Sequence, residues 1–186
     1  MLGELCRNLK IAFRLAAFDS SLTGLLPNGE RHFWLSFFAF PLVLACAYIQ
    51  SSILSFAELG LNSSGATISI KLLLVMAIVW LASLHIAAAF AEQFGQEDAW
   101  LKYAIASNFC ALAQALITTT AAGVAVLLGL SSKSYDTTTF VLFLWSIAYD
   151  WFVVRRVLGL SKFQTTSLIM LEFVLLFMML SIVGPR

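Results

Sequence analysis

Charge is what this sequence has least of. Only 11% of its 186 residues are Asp, Glu, Lys or Arg, where a soluble domain typically carries about 25%. Eleven basic and 10 acidic residues give a formal net charge of +1, so there is no basic surface to bind nucleic acid. Histidine occurs twice, at His32 and His85, too few for a protein metal site. No HExxH, CxxC, GxSxG or P-loop pattern is present. The expectation is therefore a protein that is not an enzyme and needs no metal or cofactor. Cysteine occurs three times without metal spacing. Cys46 and Cys110 fall inside apolar runs, where a thiol behaves as a small hydrophobe, and Cys6 lies in no lipidation signal. A secretory signal peptide is missing too, because charges interrupt the first stretch every three or four residues.

What is present is hydrophobicity: 61% of the residues, with a mean hydropathy of +0.92. The chain is organised around Leu72 to Gly129, two apolar runs split by one short polar break. Each matches the ~20 residues that span a bilayer as a helix. Both are rich in Ala, Ser and Gly, which let helix backbones approach where no hydrophobic force drives association. The pattern predicts an all-α, polytopic transmembrane bundle forming a single membrane domain over residues 1–186. Its five spans fall at about 33–56, 72–92, 107–130, 139–154 and 163–183, each near the required length. The fourth is the shortest, and a re-entrant fourth segment is the rival arrangement. Pro41 is expected to kink the first span. Ala57–Ile70 and Ser131–Thr138 read as loops on one side, and Gly159–Lys162 as a tight turn on the other.

Residues 2–18 read as an amphipathic helix. Leu2, Leu5, Cys6, Leu9, Phe13 and Ala16 share one face, and Glu4, Arg7, Lys10 and Arg14 the other. Such a helix either lies in the membrane interface, basic face to the lipid headgroups, or packs against the bundle. Basic residues set the orientation. Arg7, Lys10, Arg14, Arg31, Lys102, Arg155, Arg156 and Lys162 fall on one side, and Lys71, Lys133 and Arg186 on the other. The positive-inside rule then predicts a cytoplasmic N-terminus and a periplasmic C-terminus in a bacterial inner membrane. Arg155 and Arg156 suit anionic headgroups at the inner surface.

Ionisable groups inside a membrane are costly and are usually functional or paired. Glu172 lies about 13 Å into the fifth span by the helical rise, and His85 and Gln114 about 10 Å into theirs. At shared depth the three are expected to form either a proton-titrating or substrate-binding site or a polar clamp joining spans two, three and five. Asp150, nearer the fourth span's end, is expected to pair with Arg155 or Asn108. Phe33, Phe37, Phe38, Phe40, Phe173 and Phe177 are expected to face lipid or a partner.

The layout resembles the Yip1-like family of five-span membrane proteins. The likeness is carried by the small-residue third span and by WFVVRRVLGLSKFQTTSLIMLEFVLLFMMLSI at Trp151 to Ile182, similar to that family's last pair of spans. AFRLAAFDSS from Ala12 and ERHFWLSFFAFP from Glu30 are similar to small membrane proteins of alphaproteobacteria. Eukaryotic members act in vesicle trafficking with small GTPases. The family's extended N-terminal arm has no counterpart here, and no catalytic residue carries over. The functional expectation is a scaffold or accessory subunit of a larger membrane assembly, with membrane lipids and other subunits or itself as partners. The alternatives are a small proton-linked transporter using Glu172 and His85, and a lipid- or curvature-sensing protein.

Overall fold

The structure, a computed structural model, describes residues 2–56 and 70–183. The expected loop from Ala57 falls outside the described residues, apart from Ile70, which opens a helix. Every regular element among the described residues is helical: α1 Leu2–Ala16, α2 Glu30–Ser36, α3 Ala39–Phe56, α4 Ile70–Gln93, α5 Glu97–Leu127, α6 Ser132–Val153, a π-helical segment Val154–Leu158, and α7 Lys162–Val183. Five stretches are long and apolar enough to cross a membrane: Glu30–Leu54, Leu74–Gln93, Glu97–Leu127, Ser132–Leu158 and Lys162–Met179.

Local chemistry sets the ends of these helices. The first span is broken between α2 and α3, at Phe37 and Phe38, just before Pro41. Proline cannot donate to the carbonyl four residues back and its ring crowds that group. The chain tightens there into i→i−3 bonds, Phe37 N to Trp34 O, Phe38 N to Leu35 O and Phe40 N to Phe37 O. The third span starts at Glu97, well before the expected Ser107. Glu97 and Asp98 favour the positive end of a helix dipole, so the helix continues through Lys102 where the apolar run does not. At 31 residues, α5 is about 46 Å long, more than the ~30 Å hydrocarbon core.

The polar stretch after Ser131 is helix, not loop. Ser131 caps α6 by accepting from Ser134 N at 3.3 Å, and the hydroxyls of Thr137 and Thr138 donate to the carbonyls of Lys133 and Ser134. Side chains that would compete with a helix here bond along it instead. The fourth span is therefore 27 residues long, enough to cross without re-entering. The tight turn before α7 has Gly159 in the left-handed region, φ 70°, followed by a capping box. Ser161 N donates to Gln164 Oε1 at 2.8 Å and Gln164 N to Ser161 Oγ at 3.3 Å, satisfying two helix-start donors reciprocally.

The centre of the bundle is α5. It packs against α1, α2, α3, α4, α6 and the π-helical segment, most extensively against α3. Ala104, Ala106, Ala113, Ala122 and Ala125 of α5 are all buried, the close approach that small side chains permit. Helix α1 packs against α5 and α6. Its buried face is Asn8, Ile11, Ala12, Leu15 and Ala16, while Cys6 and Phe13 stay exposed. The expected apolar face was wide enough to be split, with only one flank entering the core. Two indole and phenol groups of α6 anchor α1: Trp145 Nε1 donates to Ala16 O at 3.2 Å and Tyr149 Oη to Ala12 O at 2.8 Å. The helix ends in a Schellman motif, Asp19 N to Arg14 O and Phe18 N to Leu15 O. Phe18 takes the left-handed position usually given to glycine, φ 58°, and packs its ring edge-on to Phe152 at 5.5 Å.

Candidate functional site

Helix α4 presents its inward face through Trp80, Ser83, Leu84, Ala87 and Ala91, positions three and four apart as a helix stripe requires. Opposite it, α5 presents Tyr103, Ser107, Cys110, Ala111 and Gln114. Asp150 and Val153 close from α6, and Glu172 from α7. Between them is a cavity of about 170 Å³. Two of its lining side chains are carboxylic acids from different spans. The other titratable lining groups are the Tyr103 phenol and the Cys110 thiol, both on α5; α4 contributes no titratable group, and no lining residue is basic.

Gln114 Nε2 donates to Asp150 Oδ1 at 2.7 Å, joining α5 to α6. The amide thus occupies one lone pair of Asp150 and leaves the carboxylate uncompensated in charge. Among the described residues no hydrogen bond or ion pair reaches Glu172. An ionised carboxylate at membrane depth needs a counter-charge or a proton, and this cavity supplies two such groups and no cation. A water needs about 10–15 Å³ of such space, so the cavity has room for a small solute with part of its hydration shell. No group of three or more His, Cys, Asp or Glu among the described residues has metal-binding geometry.

Of the expected trio, Glu172 and Gln114 come together and His85 does not. His85 is exposed on the outer side of α4. Depth along a helix fixes only one coordinate. One residue past Leu84, the side chain turns by about 100°, and that rotation carries the imidazole away. Asp150 takes its place. It turns inward to Gln114 and does not pair with Arg155, whose guanidinium lies over the Trp151 ring at 5.2 Å. The signal for Asp150 was present in the sequence as an acidic residue in an apolar span.

A second polar chain, beside the cavity, ties three helices. Trp80 Nε1 donates to Asn108 Oδ1 at 3.0 Å, Asn108 Nδ2 donates to Ser36 Oγ at 2.7 Å, and Ser36 Oγ donates to Phe33 O at 2.7 Å. Asn108 and Ser36 are buried. A clamp like the one expected of Glu172, His85 and Gln114 is built here from other residues, where each member finds a partner. The aromatics of the first span close around it: Phe40 stacks on Trp80 with ring planes 9° apart, Phe37 meets Trp80 edge-on at 4.9 Å, and Phe33 meets Trp100 at 5.6 Å. Phe33, Phe37 and Phe40 therefore face the bundle, and Phe38 and Phe177 remain outside. Phe173 lies 6.1 Å from Phe143.

Comparison with protein-family models, curated proteins and solved structures finds no match to this chain. The Yip1-like resemblance thus rests on the sequence pattern alone, and the cavity carries whatever functional reading is made.

The basic residues expected at the interface fall on α1 and on the π-helical segment. Arg7, Lys10 and Arg14 are exposed on α1, and Arg14 pairs with Asp19 at 3.3 Å. Hydrogen bonds from Ser21, through its side chain and its backbone N–H, hold the Asp19 carboxyl below the usual carboxylate range, with help from the Arg14 charge. Next to them, the Arg156 guanidinium lies 5.7 Å from the centre of the Phe152 ring. Phe13 and Phe18 are exposed, and Phe18 packs on that same Phe152 ring.

Proposed function

We propose that this protein is a small proton-linked transporter of the bacterial inner membrane in which Asp150 and Glu172 hold, in turn, a proton and a small monovalent cation. The single observation behind this reading is the cavity between α4, α5, α6 and α7, lined by two carboxylates and no basic group. Two acids that share a low-dielectric site favour a single positive charge between them. Gln114 orients Asp150, Glu172 faces the same space, and the serine hydroxyls of Ser83 and Ser107 offer further oxygen atoms to a cation. The chain is not an enzyme in this reading, and the basic residues preceding the first span support a cytoplasmic N-terminus.

The test is proton movement in proteoliposomes holding a trapped pH dye. Adding sodium, potassium or methylammonium outside should release or take up protons only when the protein is present. Asp150→Asn and Glu172→Gln should each abolish the signal while the protein remains folded. Protein-dependent flux that survives both substitutions, or no flux for any of the three cations, removes the proposal.

A second reading concerns lipid. The exposed Arg7, Lys10 and Arg14 beside exposed Cys6 and Phe13 support α1 as a contact for anionic headgroups, its aromatic strip inserted beside the charges. Hydrogen exchange of α1 should slow in nanodiscs of phosphatidylglycerol relative to phosphatidylcholine, and the difference should vanish in Arg7→Gln/Lys10→Gln/Arg14→Gln. The scaffold or accessory-subunit reading draws only on exposed apolar side chains such as Phe163 and Phe177, which lipid covers equally well.

A further inference from the structure

A second space adjoins the cavity. Between α3, α5 and α6 lies a cleft of about 370 Å³, and two of its lining residues, Ala111 and Gln114, also line the inner cavity. The cleft runs from Gln114 past Thr118, Ala122 and Thr139 to Tyr135, one turn into α6 and so close to the end of the bundle that holds the α5–α6 connection. A third space of about 110 Å³, lined by Phe40 and Asn108, also borders Ala111. Three voids therefore meet at one methyl group.

In the other direction the lining is more deeply buried. Leu84, Tyr103 and Val153, the lining residues nearest the α4–α5 and α6–α7 turns, are all buried. What separates the inner cavity from the cleft is slighter: the Ala111 side chain and the Gln114 amide, held by its one bond to Asp150. Gln114 has three side-chain torsions, so breaking that bond frees the amide to swing aside.

Polar side chains line much of the cleft. Thr118 donates its hydroxyl proton to the carbonyls of Gln114 and Ala115, Thr138 to Ser134 O, and Ser146 to Phe143 O. With their protons committed to their own helices, these hydroxyls offer only acceptor lone pairs to whatever enters. Gln50, Tyr135 and Thr139 add groups that can also donate, so the cleft admits a hydrophilic solute and the two carboxylates of the inner cavity set the preference for a cation.

We infer that the cleft between α3, α5 and α6 is the access route by which a small hydrophilic cation reaches the inner cavity from the α5–α6 end, and that Ala111 and Gln114 form the partition it must pass. This rests on the reading of the inner cavity as a cation site, but its test does not depend on transport.

The test uses the full chain in proteoliposomes, in a background of Cys6→Ser, Cys46→Ser and Cys110→Ala. Single reporter cysteines are placed in the cleft by Thr139→Cys and in the inner cavity by Ser107→Cys. Glu97→Cys and Lys133→Cys report which side a reagent reaches. The probes are a trimethylammonium methanethiosulfonate and its sulfonate counterpart, both membrane-impermeant. From the α5–α6 side, the Thr139→Cys reporter should react readily. The Ser107→Cys reporter should react slowly, and faster with the cation than with the anion. Gln114→Ala should speed the Ser107→Cys reaction about tenfold, the rate equivalent of one hydrogen bond of ordinary net strength, and leave the Thr139→Cys rate unchanged. Ala111→Leu should slow the inner reaction alone; if that variant does not fold, the Gln114→Ala result decides. Labelling of Ser107→Cys only from the α4–α5 side, or a rate indifferent to Gln114→Ala, overturns the route. Loss of transport with this labelling pattern intact would instead remove the cation-site reading and leave the route standing.

Discussion

Replacing Asn108 by alanine removes two of the hydrogen bonds that join α2, α4 and α5. The wild-type amide receives the Trp80 indole N–H and donates to Ser36 Oγ. Interhelical hydrogen bonds in membrane proteins average about 0.6 kcal/mol and reach about 1.7, so losing two costs about 1 to 3 kcal/mol. The loss is uneven. Ser36 Oγ still donates to Phe33 O and is not orphaned, whereas the Trp80 N–H loses its acceptor. A buried donor without a partner costs about 1–3 kcal/mol, which moves the expectation toward the upper half of that range. Unfolding in a mixed-micelle titration measures it. A double-mutant cycle with Ser36→Ala should return a coupling of about 0.6 kcal/mol or more. Coupling indistinguishable from zero, with Asn108→Ala as stable as wild type, would refute the clamp and show these groups satisfied by other means.

Two further outcomes follow from the turns. Gly159→Ala places a side chain in the left-handed region, costing about 1–2 kcal/mol, and brings its Cβ within 3.3 Å of Gln96 Oε1. Thermal unfolding should fall accordingly, and Gln96→Ala should restore only the steric part. Asp19, whose carboxyl is held below its ordinary range, stabilises the end of α1 at any pH above its unfolded value. That contribution is lost as pH falls through the lower folded value. Hydrogen-exchange protection at the last turn of α1, corrected for the intrinsic rate, should fall on acidification below about pH 4 in wild type, and Asp19→Asn should show no such step.

How much of this was legible beforehand depends on which coordinate a residue supplies. Apolar run length located the five crossings, because bilayer thickness fixes helix length. Their ends were less legible. The Ser131 and Ser161 caps act through a few hydrogen bonds that a hydropathy pattern does not register, so the polar start of α6 looked like a loop. For the site, Glu172 and Gln114 were visible as polar groups at matching depth. His85 lies elsewhere because depth ignores rotation, and Asp150, expected to pair with Arg155 or Asn108, takes its hydrogen bond from Gln114 instead. The Trp80–Asn108–Ser36 chain was out of reach, since Ser36 and Asn108 meet only once α2 has packed on α5. The aromatic residues of the first span were misread for a related reason: the break ahead of Pro41 turns Phe33, Phe37 and Phe40 onto Trp80 and Trp100, away from lipid.

The transporter reading depends on a positive charge being welcome between Asp150 and Glu172. The most direct measurement is the unfolding temperature of the purified protein at fixed ionic strength, with sodium, potassium or methylammonium exchanged for a bulky cation that the cavity excludes. A ligand that binds only the folded protein stabilises it by about 2.7 kcal/mol at a hundred times its Kd. At least one of the small cations should therefore raise the unfolding temperature in wild type and leave Asp150→Asn/Glu172→Gln unmoved. An equal rise in both proteins, or none for any cation in wild type, would contradict the cation site.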